Sequence, residues 1–378
     1  MADARRRRGH LVDRLVAAGD LAPGWVEAFL NVPRHAFLPE VLWRHDGEFL
    51  RPLRRAEEPE AWLALAYAND AVATQVDDGE PAGPGGTGWE ATSSASQPSV
   101  VAVMLAALRV EAGMSVCEIG TGTGWNAALL AHRLGPGRLV SIEVDGQLAE
   151  RARDTLHHAK AEVCVVHGDG TAGYPERAPY DRVIATAAVY DIPYAWVAQT
   201  RPGGLVLTPW RTEFHPGELL LLQVGPDGCA RGNVIGTVSF MTVRAQRTPR
   251  GGFGDTSGDT ADRTSTDLHP HSVTHDRHAS FAVGLAVPHC QHTARHDPRT
   301  GAAVTWLLDP RTRSWAAVAA DDKDDNYGDN SGATVHQHGP RRLWDEVYAA
   351  YTAWRDSGAP PASSWQVTVT STGQHITR

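Results

Sequence analysis

The chain has few cysteines for its length, and this excludes two common ways of stabilising a fold. Only four of its 378 residues are cysteine, at positions 117, 164, 229 and 290, and they lie far apart. A disulfide framework needs many cysteines in a short secreted chain, and structural zinc sites need closely spaced pairs. Because Cys117 and Cys164 fall within predicted strands, where a small apolar thiol packs well, we expect the cysteines to be free and structural.

Long apolar runs and an excess of positive charge are also missing. No stretch approaches the roughly 20 apolar residues of a membrane-spanning helix. The basic run at residues 5–8 is not followed by the apolar segment of a signal peptide. We therefore expect a cytoplasmic protein with a solvated basic tail. The formal net charge of −9 argues against nucleic-acid binding, which usually needs clustered Lys and Arg.

The length and the apolar content of the chain indicate a globular protein with more than one domain. The 378 residues are too many for one small domain, and 42% hydrophobic residues allow a sizeable buried core. No internal repeat is visible. We therefore predict two domains.

The most informative segment is VCEIGTGTGWNAALL at residues 116–130. An apolar run that contains Glu118 passes through Gly120, Gly122 and Gly124 into a helix-compatible run, which predicts a strand, a glycine turn and a helix N-terminus. Glycine lets the backbone approach a ligand closely because it has no Cβ. The dinucleotide fingerprint needs a third glycine three residues after the second, whereas the spacing here is two and two. The segment therefore predicts a nucleotide-type site of another kind.

This glycine spacing resembles the S-adenosylmethionine (SAM) loop of Rossmann-like methyltransferases. Apolar runs at 138–145, 163–170, 178–189 and 201–210 follow it and complete five predicted strands in the family's order. One glycine loop can occur by chance, but five ordered pieces rarely do. The alternative is a doubly wound domain whose carboxylates merely cap loops.

Carboxylates follow or end the predicted strands. The resemblance implies that Glu118 faces the methionine end of SAM and that Glu143 accepts hydrogen bonds from the ribose hydroxyls. It also implies that Asp169, beside Gly170, takes the adenine amino group.

A hydroxyl-rich segment, ATSSASQPSV at residues 91–100, is the second discriminating feature. One hydroxyl would be enough to cap the predicted helix that follows, because Ser and Thr satisfy free amides there. Four hydroxyls instead suggest a row of donors for a ligand carboxylate or for the cofactor. They belong to Thr92, Ser93, Ser94 and Ser96.

With NVPRHAFLPE at 31–40, HGDG at 167–170 and APYDRVIATAA at 178–188, these segments resemble protein-L-isoaspartate O-methyltransferases from about residue 10 to 246. That family transfers the SAM methyl group to the carboxylate of an isoaspartyl residue. A carboxylate, with a reference pKa near 4, is already ionised at pH 7, so the reaction needs no strong base and no metal. The enzyme's remaining task is to align the carboxylate oxygen with the methyl carbon and the sulfur of SAM.

The resemblance assigns three overlapping sets of site residues. The catalytic residue is Ser96, which would hold one carboxylate oxygen and leave the other aimed at the methyl group. The substrate-binding residues are Thr92, Ser94, Gln97, Thr186 and Ala187. The cofactor-binding residues are Ser94, Ala95, Ser96, Glu118, Gly120, Thr121, Gly122, Thr123, Gly124, Asn126, Glu143, Val144, Asp169 and Gly170.

The predicted fold class is α/β, a Rossmann-like SAM-dependent methyltransferase sheet with N-terminal helices and a C-terminal α+β extension. We expect an N-terminal helical segment at 1–80, the methyltransferase domain at 81–246, a linker or mobile loop at 247–280 and the extension at 281–378. Two features depart from the family. The loop before the hydroxyl-rich segment is longer, acidic and glycine-rich, and the family's usual chain stops near residue 246.

The extension bears on the substrate. Its helix and last strand resemble the C-terminal unit of actinobacterial methyltransferases associated with ribosomally made, modified peptides such as graspetides, lanthipeptides and lasso peptides. This implies a macrocyclised peptide partner in which an ordinary Asp is methylated, and its ester gives an aspartimide that persists or opens to isoaspartate. We favour this tailoring over repair of generic isoaspartyl residues, because an added domain gives a general repair enzyme no evident advantage.

Two other functions fit the sequence less well. A SAM-binding module without catalysis would lack Ser96 or the acidic cofactor residues, and none is lost. A nucleic-acid methyltransferase is disfavoured by the net charge and by the absence of a base-pocket motif. The oligomeric state stays open.

Three features of the C-terminal region have structural explanations. Seven histidines between 269 and 296 suggest a metal, but Pro270 makes a helix doubtful there, so we expect polar loop histidines and no metal. The acidic run at 321–326 lacks the glycine and final glutamate of a calcium loop. Aromatic residues recur at helical spacing and predict the buried stripe of a tail helix, with peptide binding as the alternative. They are Trp344, Tyr348, Tyr351 and Trp354.

Overall fold

The computed structural model of the chain describes residues 2–248, 260–296, 303–320 and 332–378. Within these residues the chain forms three β-sheets and ten α-helices. In the same residues, no helix is long and apolar enough to cross a membrane.

The N-terminal part combines helices with a small antiparallel sheet. Its helices are α1 Ala2–Ala18, α2 Val26–Asn31 and α3 Pro59–Ala66, and its strands are β1 Val41–Asp46, β2 Phe49–Arg54, β3 Val72–Val76 and β4 Ala91–Ala95. The strand order is β2-β1-β3-β4. The expectation of a helical segment at 1–80 is therefore corrected, because three strands form there besides the three helices. The sequence signal for the β1–β2 hairpin is Asp46-Gly47. Gly47 has a φ of +61°, and a glycine at positive φ suits a two-residue hairpin turn.

The central sheet contains the strands predicted from the glycine-loop region. Its helices are α4 Pro98–Leu108, α5 Trp125–Leu134, α6 Gly146–His158 and α7 Tyr194–Ala198. Its strands are β5 Val116–Ile119, β6 Leu139–Glu143, β7 Val163–His167, β8 Tyr180–Ala185, β9 Thr200–Trp210, β10 Glu218–Val224 and β11 Ala230–Thr237. The five predicted strands are β5 to β9, which pair in parallel. The prediction of a Rossmann-like methyltransferase sheet is confirmed.

The connections of this sheet determine where a ligand can bind. Strand β5 lies between β6 and β8, so the chain order changes direction at β5. In open α/β sheets, ligands bind in the crevice beyond the carboxyl ends of the strands at such a switch point. The glycines that follow β5 lie at this crevice.

The C-terminal region adds a second sheet and lengthens the first. Its helices are α8 Pro270–Thr274, α9 Arg277–Ala286 and α10 Leu343–Asp356. Its strands are β12 Asp262–Thr266, β13 Gln291–His296, β14 Ala303–Asp309, β15 Ser314–Ala320, β16 Ala333–His338, β17 Gln366–Thr370 and β18 Gly373–Thr377. Strands β12 to β16 form a five-stranded antiparallel sheet in the order β12-β16-β15-β14-β13. The β17–β18 hairpin instead pairs with β11 and extends the central sheet.

The region expected to be a linker is partly regular structure. Residues 262–280 form β12, α8 and the start of α9, because Leu268 and Val273 are buried in a common core with residues of α10. This part of the expectation is corrected. Residues 249–259 and the acidic run at 321–326 lie outside the described residues.

Helix α9 packs the extension against the central sheet through a buried polar cluster. The Glu218 carboxylate, at the start of β10, accepts hydrogen bonds from Arg277 Nε at 2.8 Å and from His215 Nε2 at 3.1 Å. The other ring nitrogen of His215 lies 2.8 Å from the hydroxyl of Ser280 on α9. The extension therefore folds directly onto the core.

Three side-chain expectations can be compared with the structure. The four cysteines are free. On α10, Trp344 and Trp354 are buried and Tyr351 is half-buried, but Tyr348 is 37% exposed and does not belong to the buried stripe. Contrary to the doubt about a helix near Pro270, α8 forms one short turn there. It stacks the rings of His271 and His275 at 3.7 Å.

Candidate active site

A pocket lies at the carboxyl ends of β5, β6 and β8, where three segments meet. They are the glycine loop at residues 120–124, the end of β4 and a segment at residues 240–247 that we call the strap. The predicted site residues that line the pocket are Thr92, Ser94, Ala95, Ser96, Gly120, Thr121, Gly122, Thr123, Asn126, Glu143, Val144, Asp169, Gly170, Thr186 and Ala187. Three further predicted residues that the structure describes, Gln97, Glu118 and Gly124, do not line it.

Glu118 lies behind the glycine loop. Its side chain is fully buried, and its two oxygens accept hydrogen bonds from Asn126 Nδ2 at 2.6 Å and from Ser141 Oγ at 2.5 Å. Ser141 Oγ is also 2.6 Å from Thr121 Oγ1 in the loop. Burial raises the pKa of Glu118 to about 7. The carboxyl group therefore supports the loop and orients Asn126, which does line the pocket.

Glu143 holds the other side of the glycine loop and faces the pocket. One carboxylate oxygen accepts the Gly122 amide at 2.8 Å, and the other accepts the Asp145 amide at 3.1 Å. Each oxygen keeps a further lone pair for a ligand hydroxyl. This geometry suits the predicted hydrogen bonds to a ribose.

The loop after β7 brings Asp169 and Gly170 to the same pocket. One Asp169 oxygen accepts the Thr171 amide at 2.9 Å, which fixes the direction of the carboxylate. A Cβ on Gly170 would come within 2.5 Å of Ile119 Cγ2, so only glycine allows the backbone this close to β5.

The space between the glycine loop and β4 is a narrow cradle. A Cβ on Gly122, whose φ is +52°, would point into this space, 3.8 Å from Ser93 Oγ and from Ser94 O. Thr186, directly after β8, also lines the pocket and joins the glycine loop, because its hydroxyl donates to Gly120 O at 2.6 Å. The cradle, the acidic strand ends and the pocket hydroxyls together fit the SAM predicted from the sequence.

The hydroxyl-rich segment divides into structural and available groups. Thr92 Oγ1 donates to Gln75 Oε1 at 2.9 Å and accepts the Asp78 amide, and the Gln97 side chain donates to Ser99 Oγ. Ser96 lines the pocket, and its hydroxyl makes no hydrogen bond with the part of the chain that the structure describes. It is therefore available to a bound acceptor.

The strap is the functional segment that the sequence analysis missed. Arg244 and Arg247 line the pocket, and both guanidinium groups pair with Asp78 in the long loop before β4, at 3.2 and 3.0 Å. Arg244 also pairs with Asp145 at 2.9 Å. The signal for the strap in the sequence is the pair of arginines, Arg244 and Arg247, three residues apart.

Comparison with known proteins gives the same family as the sequence motifs. A family model described as Protein-L-isoaspartate(D-aspartate) O-methyltransferase matches residues 66–247. A protein-L-isoaspartate O-methyltransferase of Methanopyrus kandleri is 35% identical over 243 residues, covering 63% of this chain and 92% of that protein. One of Thermococcus onnurineus is 36% identical over 248 residues, covering 64% and 96%.

A solved structure of a protein-L-isoaspartate O-methyltransferase shares the fold. It aligns with a TM-score of 0.55 at 22% identity, and the alignment covers 98% of this chain and 99% of that one. The alignment therefore includes the C-terminal extension as well as the core.

Proposed function

Because the chain belongs to the protein-L-isoaspartate O-methyltransferase family, we propose that it methylates isoaspartyl residues in flexible peptides and proteins, the first step of repair. It is a SAM-dependent methyltransferase, and SAM supplies an electrophilic methyl group when bound. The observation that carries the proposal is the position of Ser96. Ser96, whose hydroxyl makes no hydrogen bond within the described residues, lines the same pocket as the glycine loop, Glu143 and Asp169.

The residues of the chain account for the reaction by positioning alone. The glycine loop, Glu143 and Asp169 would hold the cofactor, and the Ser96 hydroxyl would donate a hydrogen bond to one oxygen of the acceptor carboxylate. A neutral hydroxyl orients that oxygen without neutralising the negative charge of the other, which is the nucleophile. Alignment of this kind can supply several kcal/mol of barrier reduction.

Repair of generic isoaspartyl residues is better supported than tailoring of a macrocyclised peptide. The curated relatives have the name of the general enzyme, and a solved structure with that name aligns over the extension too. The described residues of the extension also contribute nothing to the pocket lining. The preference for tailoring depends on an added domain with no evident advantage for repair, and the alignment of that solved structure over the extension weighs against this argument.

Mass spectrometry after incubation with SAM tests the proposal. The substrates are a flexible isoaspartyl peptide, the same sequence with ordinary Asp, and a cyclised form of the Asp peptide. We expect the isoaspartyl peptide alone to gain one methyl group. Methylation of the cyclised Asp peptide, with no reaction of the isoaspartyl peptide, would overturn the proposal in favour of tailoring.

A further inference from the structure

Arg34 has an unusual environment for an arginine. It is 1% exposed, and all its hydrogen-bond partners are backbone carbonyl oxygens at 3.0 to 3.3 Å. These carbonyl groups come from two separate segments, the turn after α3 and the end of β4. They belong to Ala66, Ala68, Asp70, Ala95 and Ser96.

This arrangement is costly for the fold. Removing a guanidinium from water carries a large penalty, which a carboxylate partner usually offsets. No carboxylate oxygen accepts a hydrogen bond from Arg34 in the described residues, and its buried Nε makes no hydrogen bond there. The centre of the Trp125 ring lies 5.5 Å from the guanidinium carbon, and this cation–π contact is weaker than an ion pair with a carboxylate. An apolar side chain would avoid this penalty but would leave the five carbonyl oxygens without this donor, so the arginine serves to join the two segments that carry them.

The contacts with Ala95 and Ser96 restrain both peptide planes on either side of the Ser96 Cα. Arg34 Nη2 lies 3.0 Å from the Ala95 oxygen, in the peptide before that Cα, and 3.0 Å from the Ser96 oxygen, in the peptide after it. Rotation about φ or ψ of Ser96 would move one of these carbonyl groups away from the guanidinium. With both planes held, the direction of the Ser96 Cα–Cβ bond is set, and the hydroxyl is confined to the few staggered positions that rotation about this bond allows.

The same short segment also contacts the cofactor side of the pocket. Trp125 is the first residue of α5, directly after the glycine loop, and its Nε1 donates to Val32 O at 3.2 Å. Residues 32–34 therefore contact both the helix that follows the glycine loop and the turn that carries Ser96. These residues therefore connect the Ser96 turn to the helix that follows the glycine loop.

We infer that Arg34 is a positioning residue for methyl transfer, which acts by holding the Ser96 turn at a set distance from the glycine loop. The inference rests on the proposed function, because it takes Ser96 as the group that orients the acceptor carboxylate. Arg34 does not line the pocket. Its loss should slow the chemical step and leave SAM binding nearly unchanged.

The test compares Arg34→Lys with Arg182→Lys in the full-length enzyme. Arg182 is a matched control, because it is 8% exposed and also donates to backbone carbonyls, but at the far end of α4. Single-turnover kinetics with an isoaspartyl peptide and calorimetry with SAM are the readouts. We expect Arg34→Lys to lower the rate on the order of 10²-fold. Arg182→Lys should reduce thermal stability but not the rate.

A double-mutant cycle separates positioning from general destabilisation. In a Ser96→Ala background, Arg34→Lys should have little further effect on the rate, because the group that it positions is gone. Equal slowing by Arg34→Lys in both backgrounds would overturn the inference.

Hydrogen–deuterium exchange of residues 93–99 tests the same inference without activity. Faster exchange in Arg34→Lys than in Arg182→Lys supports it, and unchanged exchange overturns it. If the wild-type enzyme methylates no isoaspartyl peptide, the proposed function fails, and the exchange result alone then decides whether Arg34 holds this turn.

Discussion

Two glutamates that are alike in sequence have different roles at the site. Glu118 and Glu143 each lie near the carboxyl end of a buried parallel strand. Only Glu143 faces the pocket, whereas Glu118 is enclosed behind the glycine loop by Ser141 and Asn126. Direct contact of Glu118 with SAM therefore stays a prediction, and its observed contacts indicate a supporting role.

Glu118→Gln should make the free energy of unfolding less dependent on pH. Burial, with a smaller contribution from the Glu143 charge, raises the pKa of Glu118 from its ordinary 4.5 to about 7. The folded protein therefore keeps a proton that the unfolded chain releases, and stability falls as pH rises from about 4.5 to about 7. A glutamine can still accept from Asn126 and donate to Ser141 without this loss.

Chemical denaturation of both proteins across this pH range is the measurement. The stability of the variant relative to wild type should increase from pH 4.5 to pH 7 by an amount on the order of 3 kcal/mol, and then stay constant. Two parallel curves would show that Glu118 titrates normally.

Among the structural elements, the long loop before β4 and the strap act as a pair. The Asp77 carboxylate accepts the amides of Ala82, Trp89 and Glu90, so the loop is folded around one side chain. The next residue, Asp78, pairs with both arginines of the strap. The departure from the family's loop therefore has a structural role at the edge of the pocket.

Asp78→Asn should weaken SAM binding without unfolding the protein. The variant loses the ion pairs that hold the strap over the pocket, and each exposed pair contributes about 0.2 to 1 kcal/mol. Calorimetry should therefore show a several-fold rise in the Kd for SAM, smaller at high salt because the wild-type pairs are then screened. The matched control is Asp227→Asn, which removes an exposed Asp–Arg pair in the β10–β11 turn. An equal change in the control would refute the role of the strap.

Across the whole molecule, the extension is part of one structure with the core. Strand β17 pairs with β11, and α9 meets the start of β10 through the buried cluster around Glu218. Removal of the chain after residue 247 would leave β11 as an exposed edge and Glu218 without Arg277. The extension thus stabilises the core, whatever it adds to substrate recognition.

Glu218→Gln should destabilise the protein at neutral pH more than in acid. Burial opposes ionisation of Glu218, but hydrogen bonds from His215 and Arg277 and their charges hold its pKa below the ordinary value. Such a carboxylate stabilises the fold above its unfolded pKa, and this contribution is lost as pH falls through the folded pKa. Breaking a buried pair costs about 3 kcal/mol or more.

Urea denaturation near pH 7 and near pH 4 measures this effect. We expect a clear deficit in the unfolding free energy of Glu218→Gln at the higher pH and a smaller deficit at the lower. A deficit that is the same at both values would mean that the charge of Glu218 does not stabilise the contact.

Local signals predicted the central sheet well and the flanking regions poorly. Strands β5 to β9 were recognised because buried parallel strands are continuous apolar runs and the glycine spacing marks the turn after β5. The β1–β2 hairpin has short strands that are half polar, so Asp46-Gly47 is its main local signal. The polar composition of residues 262–280 predicts a linker, because the burial of Leu268 and Val273 depends on α10.

The sequence alone determined the family, the cofactor and most of the pocket lining, because these depend on short motifs with local backbone requirements. Tertiary structure decided which groups face the pocket and which support it. Arg34 meets Ser96 across 62 residues, and Arg244 meets Asp145 across 99. Neighbouring residues in the sequence do not predict such long-range contacts. They form only when the packing of separate elements repays the entropy of closing the chain between them.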